Sequence, residues 1–224
     1  GDDEADDEDA ASEEEPEQDA PEEEEFPGTD GPGAALLGEL VASCRQYVMA
    51  VTRVELDGTE DTLSLLDYYL KHAQESLEGR AELEQLTVQA VGAYFGEVAR
   101  QALGGFWRGV GPDVHEWRVC CSGALLAFNP VGMVYDALHG GPEHAGPSGH
   151  LRVARDERAL VAERLDLIPD YAEGEPYLLT TRLEILEAIL ETLRESARVG
   201  GYDDVVFDAA DYEQLDEEER TFSA

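Results

Sequence analysis

The chain has a single lysine, Lys71, among its 224 residues, and no basic side chain before Arg45. Its 15 Lys plus Arg face 52 Asp plus Glu, a formal charge of −37 at pH 7. Nucleic acid is held mainly by neutralising phosphates, so this balance excludes binding through a general basic surface. The same repulsion argues against an anionic membrane surface. Cysteine is scarce: Cys44, Cys120 and Cys121 are too few for a disulfide framework, and adjacent cysteines pair only under strain. Reduced thiols fit a cytoplasmic protein. No continuous apolar run approaches the roughly 18 residues of a membrane helix, and the first residues have no basic and apolar signal region. Phosphate-loop, nucleophile-elbow, zinc-helix, dinucleotide and EF-hand patterns are all missing, which lowers the expectation of a familiar enzyme class.

What is present is unevenly distributed. Residues 1–30 hold 17 acids and no Lys or Arg, and residues 201–224 hold nine acids and only Arg220, leaving about −12 for the middle. A segment this charged cannot bury enough apolar surface to offset its ordering entropy, so residues 1–32 read as a disordered acidic tail. Residues 33–200 read as one globular domain, with a subdomain break allowed at 140–149, and residues 201–224 as an acidic C-terminal segment. The 42% hydrophobic content suffices for a real core.

Apolar residues at helical spacing predict a first helix from near Ala34 to near Leu56, carrying Leu37, Val41, Cys44 and Val48. Thr59 is the expected cap of a second helix with a Leu63, Leu66, Leu70, Ala73 and Leu77 stripe. A third spans Ala81 to Leu103, with Val88, Val91, Phe95, Val98 and Ala102 on one face and Gly92, Gly96 and Ala99 beside it, available for close backbone approach. Glu116–Cys121 and Ala124–Phe128 read as strands, Trp117, Val119 and Cys121 sharing one face. Cys120 and Cys121 then alternate faces, so at most one of them is expected in the core and the other accessible. Asn129-Pro130 starts a short helix, Leu151–Val153 adds an edge strand, and Glu157–Leu165 forms a helix ended by Pro169. Thr181 and Glu184 form a capping box for a last long helix with a Leu183, Leu186, Leu190 and Leu193 stripe, stopped by Gly200-Gly201. Val205–Phe207 is a candidate strand. The fold class is helix-dominated α+β, long amphipathic helices on a small antiparallel sheet.

Gly92-Ala-Tyr-Phe-Gly-Glu97, followed by Gly104-Gly-Phe-Trp107 and Phe128-Asn-Pro130, resembles a group of uncharacterised bacterial domains with a G-x-Y-x-G-E helix, then G-G-x-W, then a short strand pair. The resemblance covers about Leu63 to Leu138 and implies a fold, with no activity attached. An arginine-rich, lysine-poor usage with abundant Ala and Gly agrees with a GC-rich bacterial source. Tyr94, Glu97, Trp107 and Trp117 are the candidate ligand- or partner-binding residues, although the carboxylate reads first as an ordinary helix ion pair with Arg100 and the aromatics as core. His139, His144 and His150, with Asp136 before them, match no compact ligand spacing and read as solvated, so neither metal nor cofactor is expected. Asp113 and His115 would point apart in a strand.

These readings favour a non-enzymatic protein-binding module, an adaptor, inhibitor or immunity-type protein. Its globular domain supplies specificity, and the acidic tail attracts a basic protein partner. A cleft enzyme or ligand-binding domain around Tyr94, Glu97 and Trp107 is the alternative from another class, and an acidic nucleic-acid mimic a third. Either leucine stripe could face a second copy in a homo-oligomer instead of the core.

Overall fold

The structure, a computed structural model, describes residues 25–168, 171–202 and 204–222, with side chains described through residue 218. Among the described residues, seven α-helices and four short strands follow in the order α1 (Gly31–Thr52), α2 (Leu63–Leu77), α3 (Ala81–Leu103), β1 (Gly105–Arg108), β2 (Arg118–Cys121), β3 (Leu126–Phe128), α4 (Pro130–His139), β4 (Arg152–Val153), α5 (Arg158–Asp166), α6 (Leu179–Val199) and α7 (Ala209–Phe222). The helix-dominated α+β class is the one expected. Most of the tail assigned to residues 1–32 lies outside the described residues, but its last part belongs to the fold. Phe26 is buried in the main core, Trp107 N donates to Pro27 O at 2.7 Å, and α1 starts three residues earlier than its periodicity suggests.

Helix α3 is the centre. From Thr87 to Ala99 almost every residue is buried, not only the expected Val88, Val91, Phe95 and Val98 face. Close packing here depends on two glycines. A Cβ at Gly92 would meet Val131 Cγ2 at 2.8 Å, and one at Gly96 would collide with the Trp107 ring. Helix α1 packs on α3 and α2 and buries Leu37, Val41, Cys44 and Val48. It has the length and average hydropathy of a membrane span although it contains no long unbroken apolar run, but these four residues lie in the core of the fold. It ends at Thr52, four residues before the expected Leu56, because Arg53 turns into the left-handed region at φ 62°.

Two capping expectations are corrected. Thr59 does not cap α2; Asp57 Oδ1 instead accepts from Thr59 N at 2.9 Å, and a 3₁₀ turn at Glu60–Thr62 leads into the helix. Thr181 and Glu184 form no capping box, since α6 begins at Leu179 and Thr181 is buried inside its first turn. The cap comes from α2: Asp67 accepts from Leu179 N at 2.7 Å, Thr180 N at 3.2 Å and Thr180 Oγ1 at 2.8 Å. Both leucine stripes, on α2 and α6, face the intramolecular core.

The sheet is an antiparallel meander in the order β1-β2-β3-β4. Strand β1 falls in a segment that carried no strand expectation, while β2 and β3 are shorter than expected. Pairing of Trp107 with Val119, Val119 with Phe128, and Leu126 with Val153 puts these residues and Cys121 on the inner face, against the helices. The outer face carries Phe106, Arg108, Arg118, Cys120, Ala127 and Arg152 by the same alternation. Cys120 is nevertheless fully buried, contrary to the expectation that only one of the adjacent cysteines lies in a core. The acidic C-terminal segment forms α7 and covers it, giving a second cluster of Cys120, Ala127, Tyr212 and Leu215. Val205–Phe207 is not a strand, although Phe207 N donates to Ser122 O at 2.9 Å. Pro169, the expected end of α5, lies outside the described residues.

Asp216 of α7 pairs with Arg108 at 2.7 Å and with Arg152. Burial pushes its carboxyl upward, but the hydrogen bonds and charges of the two arginines together outweigh this and hold it below the ordinary carboxylate range. Its stabilisation of docked α7 is therefore complete above the unfolded value near pH 4 and is lost as pH falls through the lowered folded value. Hydrogen exchange should show α7 amides protected at pH 5 and released at about pH 2.5 before those of α3. Gly96→Ala should destabilise the fold by about 1–3 kcal/mol in urea unfolding, because the added methyl must displace Trp107.

Candidate functional site

Three of the four sequence-selected residues meet in one buried knot. Glu97 sits on α3 facing strand β1, where Trp107 Nε1 donates to its Oε2 at 3.0 Å. Arg100, one turn on, donates from Nε to Oε2 at 2.9 Å and from Nη2 to Oε1 at 2.7 Å, and Gln101 Nε2 adds a bond to Oε1 at 2.8 Å. The Trp107 ring meets Trp117 edge to face at 6.3 Å, and Trp117 Nε1 donates to Gly111 O at 2.8 Å. Both indoles are buried and satisfied. Asn129 completes the arrangement: its side chain accepts from Gly132 N at 3.0 Å, capping α4, and donates to Val114 O at 2.7 Å.

Tyr94 lies apart from the indoles, on the side of α3 facing the α1–α2 connection. Its hydroxyl accepts from Gly58 N at 2.8 Å, and burial pushes the phenol up despite hydrogen bonds from Thr62 and Gly58. Beside it is a cavity of about 140 Å³ bordered by Arg45, Tyr94, Glu97 and Arg100. Trp107 does not line it. This volume is below the roughly 300 Å³ at which small-molecule sites begin, and both Glu97 oxygens are already engaged by Arg100. A general base here would first have to break a bidentate ion pair.

A second cluster emerges where the sequence suggested solvated histidines. His144 and Asp136 are buried side chains, 4% and 2% exposed, joined by a 2.8 Å bond from Nε2 to Oδ1. Gly146 N donates to His144 Nδ1 at 3.2 Å, so the ring proton sits on Nε2. Arg182 Nη2 of α6 donates to Asp136 Oδ2 at 2.8 Å, and its guanidinium lies over the Tyr177 ring. Tyr135 stacks on His139 and His144, and His139 reaches Glu84. The loop 140–149 thus folds back on α4; Gly132 and Gly149 leave room for it. An aspartate eight residues before its histidine, with the arginine on another helix, leaves no local signature. Among the described residues, no hydroxyl or thiol is hydrogen-bonded to His144 in this arrangement, and no group of three or more His, Cys, Asp or Glu is placed to hold a metal ion. Asp113 and His115 are joined through the backbone, Asp113 accepting from His115 N in a 3₁₀ turn.

The third feature was not anticipated. The end of α6 closes in a Schellman motif: Tyr202 N donates to Ala197 O at 2.9 Å and Gly201 N to Arg198 O at 3.0 Å, with Gly201 left-handed at φ 81°. This turn projects Tyr202 beside Val205, Val206 and Phe207, and together with Gly123 and Arg194 they line a groove of about 800 Å³. Tyr202 is 67% and Val206 75% exposed. The Gly200-Gly201 stop was readable in sequence; the groove required knowing where Gly123 lies.

Comparison with known protein families, with curated proteins and with solved structures finds no match for this chain. The site geometry alone carries the functional reading. Asp136→Ala should leave Arg182 buried without its countercharge and His144 without its acceptor, costing about 3–5 kcal/mol in chemical denaturation.

Proposed function

We propose that the chain is a non-enzymatic protein-binding module whose docking face is the groove formed by the end of α6, Gly123 and Val205–Phe207. The observation that carries this reading is the exposure of Tyr202 and Val206 on the wall of an 800 Å³ groove. Clustered apolar side chains of this kind gain most when a partner covers them, and an aromatic at the centre of such a cluster is the usual anchor. The alternative site around Tyr94 and Glu97 offers a small cavity and a carboxylate already committed to Arg100. Three free thiols and an acidic chain agree with a cytoplasmic adaptor or inhibitor whose partner is basic. The 17 acids of residues 1–30 would raise the encounter rate with such a partner, while the groove would set specificity.

The test is capture of partners from a cell extract at low and high salt, with the intact chain, a chain lacking residues 1–24, and the double variant Tyr202→Ala, Val206→Ser. The expected outcome is one stoichiometric protein held at high salt by the first two and weakened at least about tenfold by the double variant. No stoichiometric protein, or equal capture by the groove variant, would refute the reading.

A further inference from the structure

The outer face of the sheet is unlike the rest of this acidic molecule. The strand register gathers Arg108, Arg118 and Arg152 on it, around an apolar patch of Phe106, Cys120 and Ala127. The crowding is felt electrostatically: burial, and next the charge of Arg152, push the Arg118 guanidinium below its ordinary value. What covers the face is α7, whose Tyr212, Leu215 and Asp216 fall on one helical stripe. The Tyr212 hydroxyl enters between the strands. It faces the carbonyls of Cys121, Ala124 and Leu126 at 2.7, 2.9 and 3.0 Å and accepts from Leu126 N at 3.0 Å. The ring packs edge-on against Phe106.

Two properties allow α7 to move as a unit. Its buried apolar contacts form their own cluster on the outer face of the sheet, so lifting α7 gives up these contacts, the Tyr212 hydroxyl's bonds to the backbone of Cys121, Ala124 and Leu126 and the Asp216 ion pairs, while the apolar cluster on the inner face stays packed. Its N-terminus is capped within its own sequence: Asp208 Oδ1 accepts from Ala210 N and Asp211 Oδ2 accepts from Asp208 N, each at 2.8 Å. By contrast, α6 takes its cap from Asp67 on another helix.

From this we infer that α7 is a reversible latch, lifting as a unit while the main core stays closed, and that the face it leaves is a receptor for an acidic amphipathic helix with an aromatic residue, a leucine three positions on and a carboxylate next to it. The charge pattern selects the occupant. A carboxylate centred between Arg108 and Arg152 is what α7 supplies, and a helix presenting Lys or Arg there would meet the arginines. The inference is independent of the groove reading, since it rests on the sheet face and α7.

The chain carries its own reporter. Cys120 lies under α7, whereas Cys121 and Cys44 lie in the main core. Burial pushes the Cys120 thiol up to about 12, so the closed form is inert to alkylation. The full chain is treated with iodoacetamide under native conditions and each cysteine is followed by peptide mass spectrometry. The expected result is modification of Cys120 at least about tenfold faster than of Cys44 or Cys121. Asp216→Asn should accelerate Cys120 a further fivefold or so without changing the other two. A synthetic peptide of residues 208–222, added in excess to that variant, should slow Cys120 again, whereas the same peptide with Tyr212→Ala and Asp216→Ala should not. A common rate for all three thiols would overturn the latch, and Cys120-selective labelling unaffected by the peptide would overturn the receptor.

Discussion

Helix α3 is enclosed on nearly every side between Thr87 and Ala99, and the placement of the other elements follows from that enclosure. A helix surrounded this way needs partners on several faces, and α1, α2, α4, α6 and the inner face of the sheet supply them. Side-chain volume sets the distance at which two elements pack, so the closest neighbours face its smallest residues. Gly92 receives α4 and Gly96 receives the Trp107 ring. Glu97 lies beside the second contact and holds the Trp107 indole by its N–H, which fixes strand β1 against α3. The segment that holds the candidate residues Glu97 and Trp107 is thereby used for packing, in line with the first reading of the carboxylate as an ion pair with Arg100 and of the aromatics as core.

The same economy applies to the polar groups within the core. Asp67, Asp136 and Asn129 each join elements distant in sequence: α2 to the start of α6, α4 to α6 and the loop at 144, and α4 to the turn at 114. A buried carboxylate or amide is tolerable only when its hydrogen-bonding capacity is met, so each specifies the position of its partners as much as it stabilises them. Such groups leave two surfaces on which the binding proposals rest. These are the groove beyond α6 and the sheet face beneath α7, and both are bounded by residues 204–216.

Acidity has two distinct consequences in this molecule. Spread over the exposed surface it is a long-range negative field that weakens with salt. Concentrated at Asp216 it is local, a single carboxylate bridging two of the three arginines on the outer face of the sheet. The C-terminal segment thus contributes structure as well as charge, although its composition reads as solvent-exposed.

Local patterns determined most of the helices. The limits of α3, the Asn129-Pro130 start of α4, the core stripes of α2 and α6 and the Gly200-Gly201 stop follow from side-chain periodicity and from backbone preferences, which act over a few residues. Helix α7 was legible in principle, through Asp208 and Asp211 as a capping pair and Tyr212 and Leu215 three apart, but its acid content masked the signal. Strand β1 was not: four residues with two glycine-rich flanks have too little pattern of their own, and the strand exists because β2 and Trp107's seat on α3 hold it. The cap of α6, the burial of His144 with Asp136 and Arg182, and the covering of Cys120 were likewise decided only by the tertiary structure. Each depends on a partner 8 to 113 residues away in the chain, and a hydrogen bond or contact at that separation leaves no trace in local sequence.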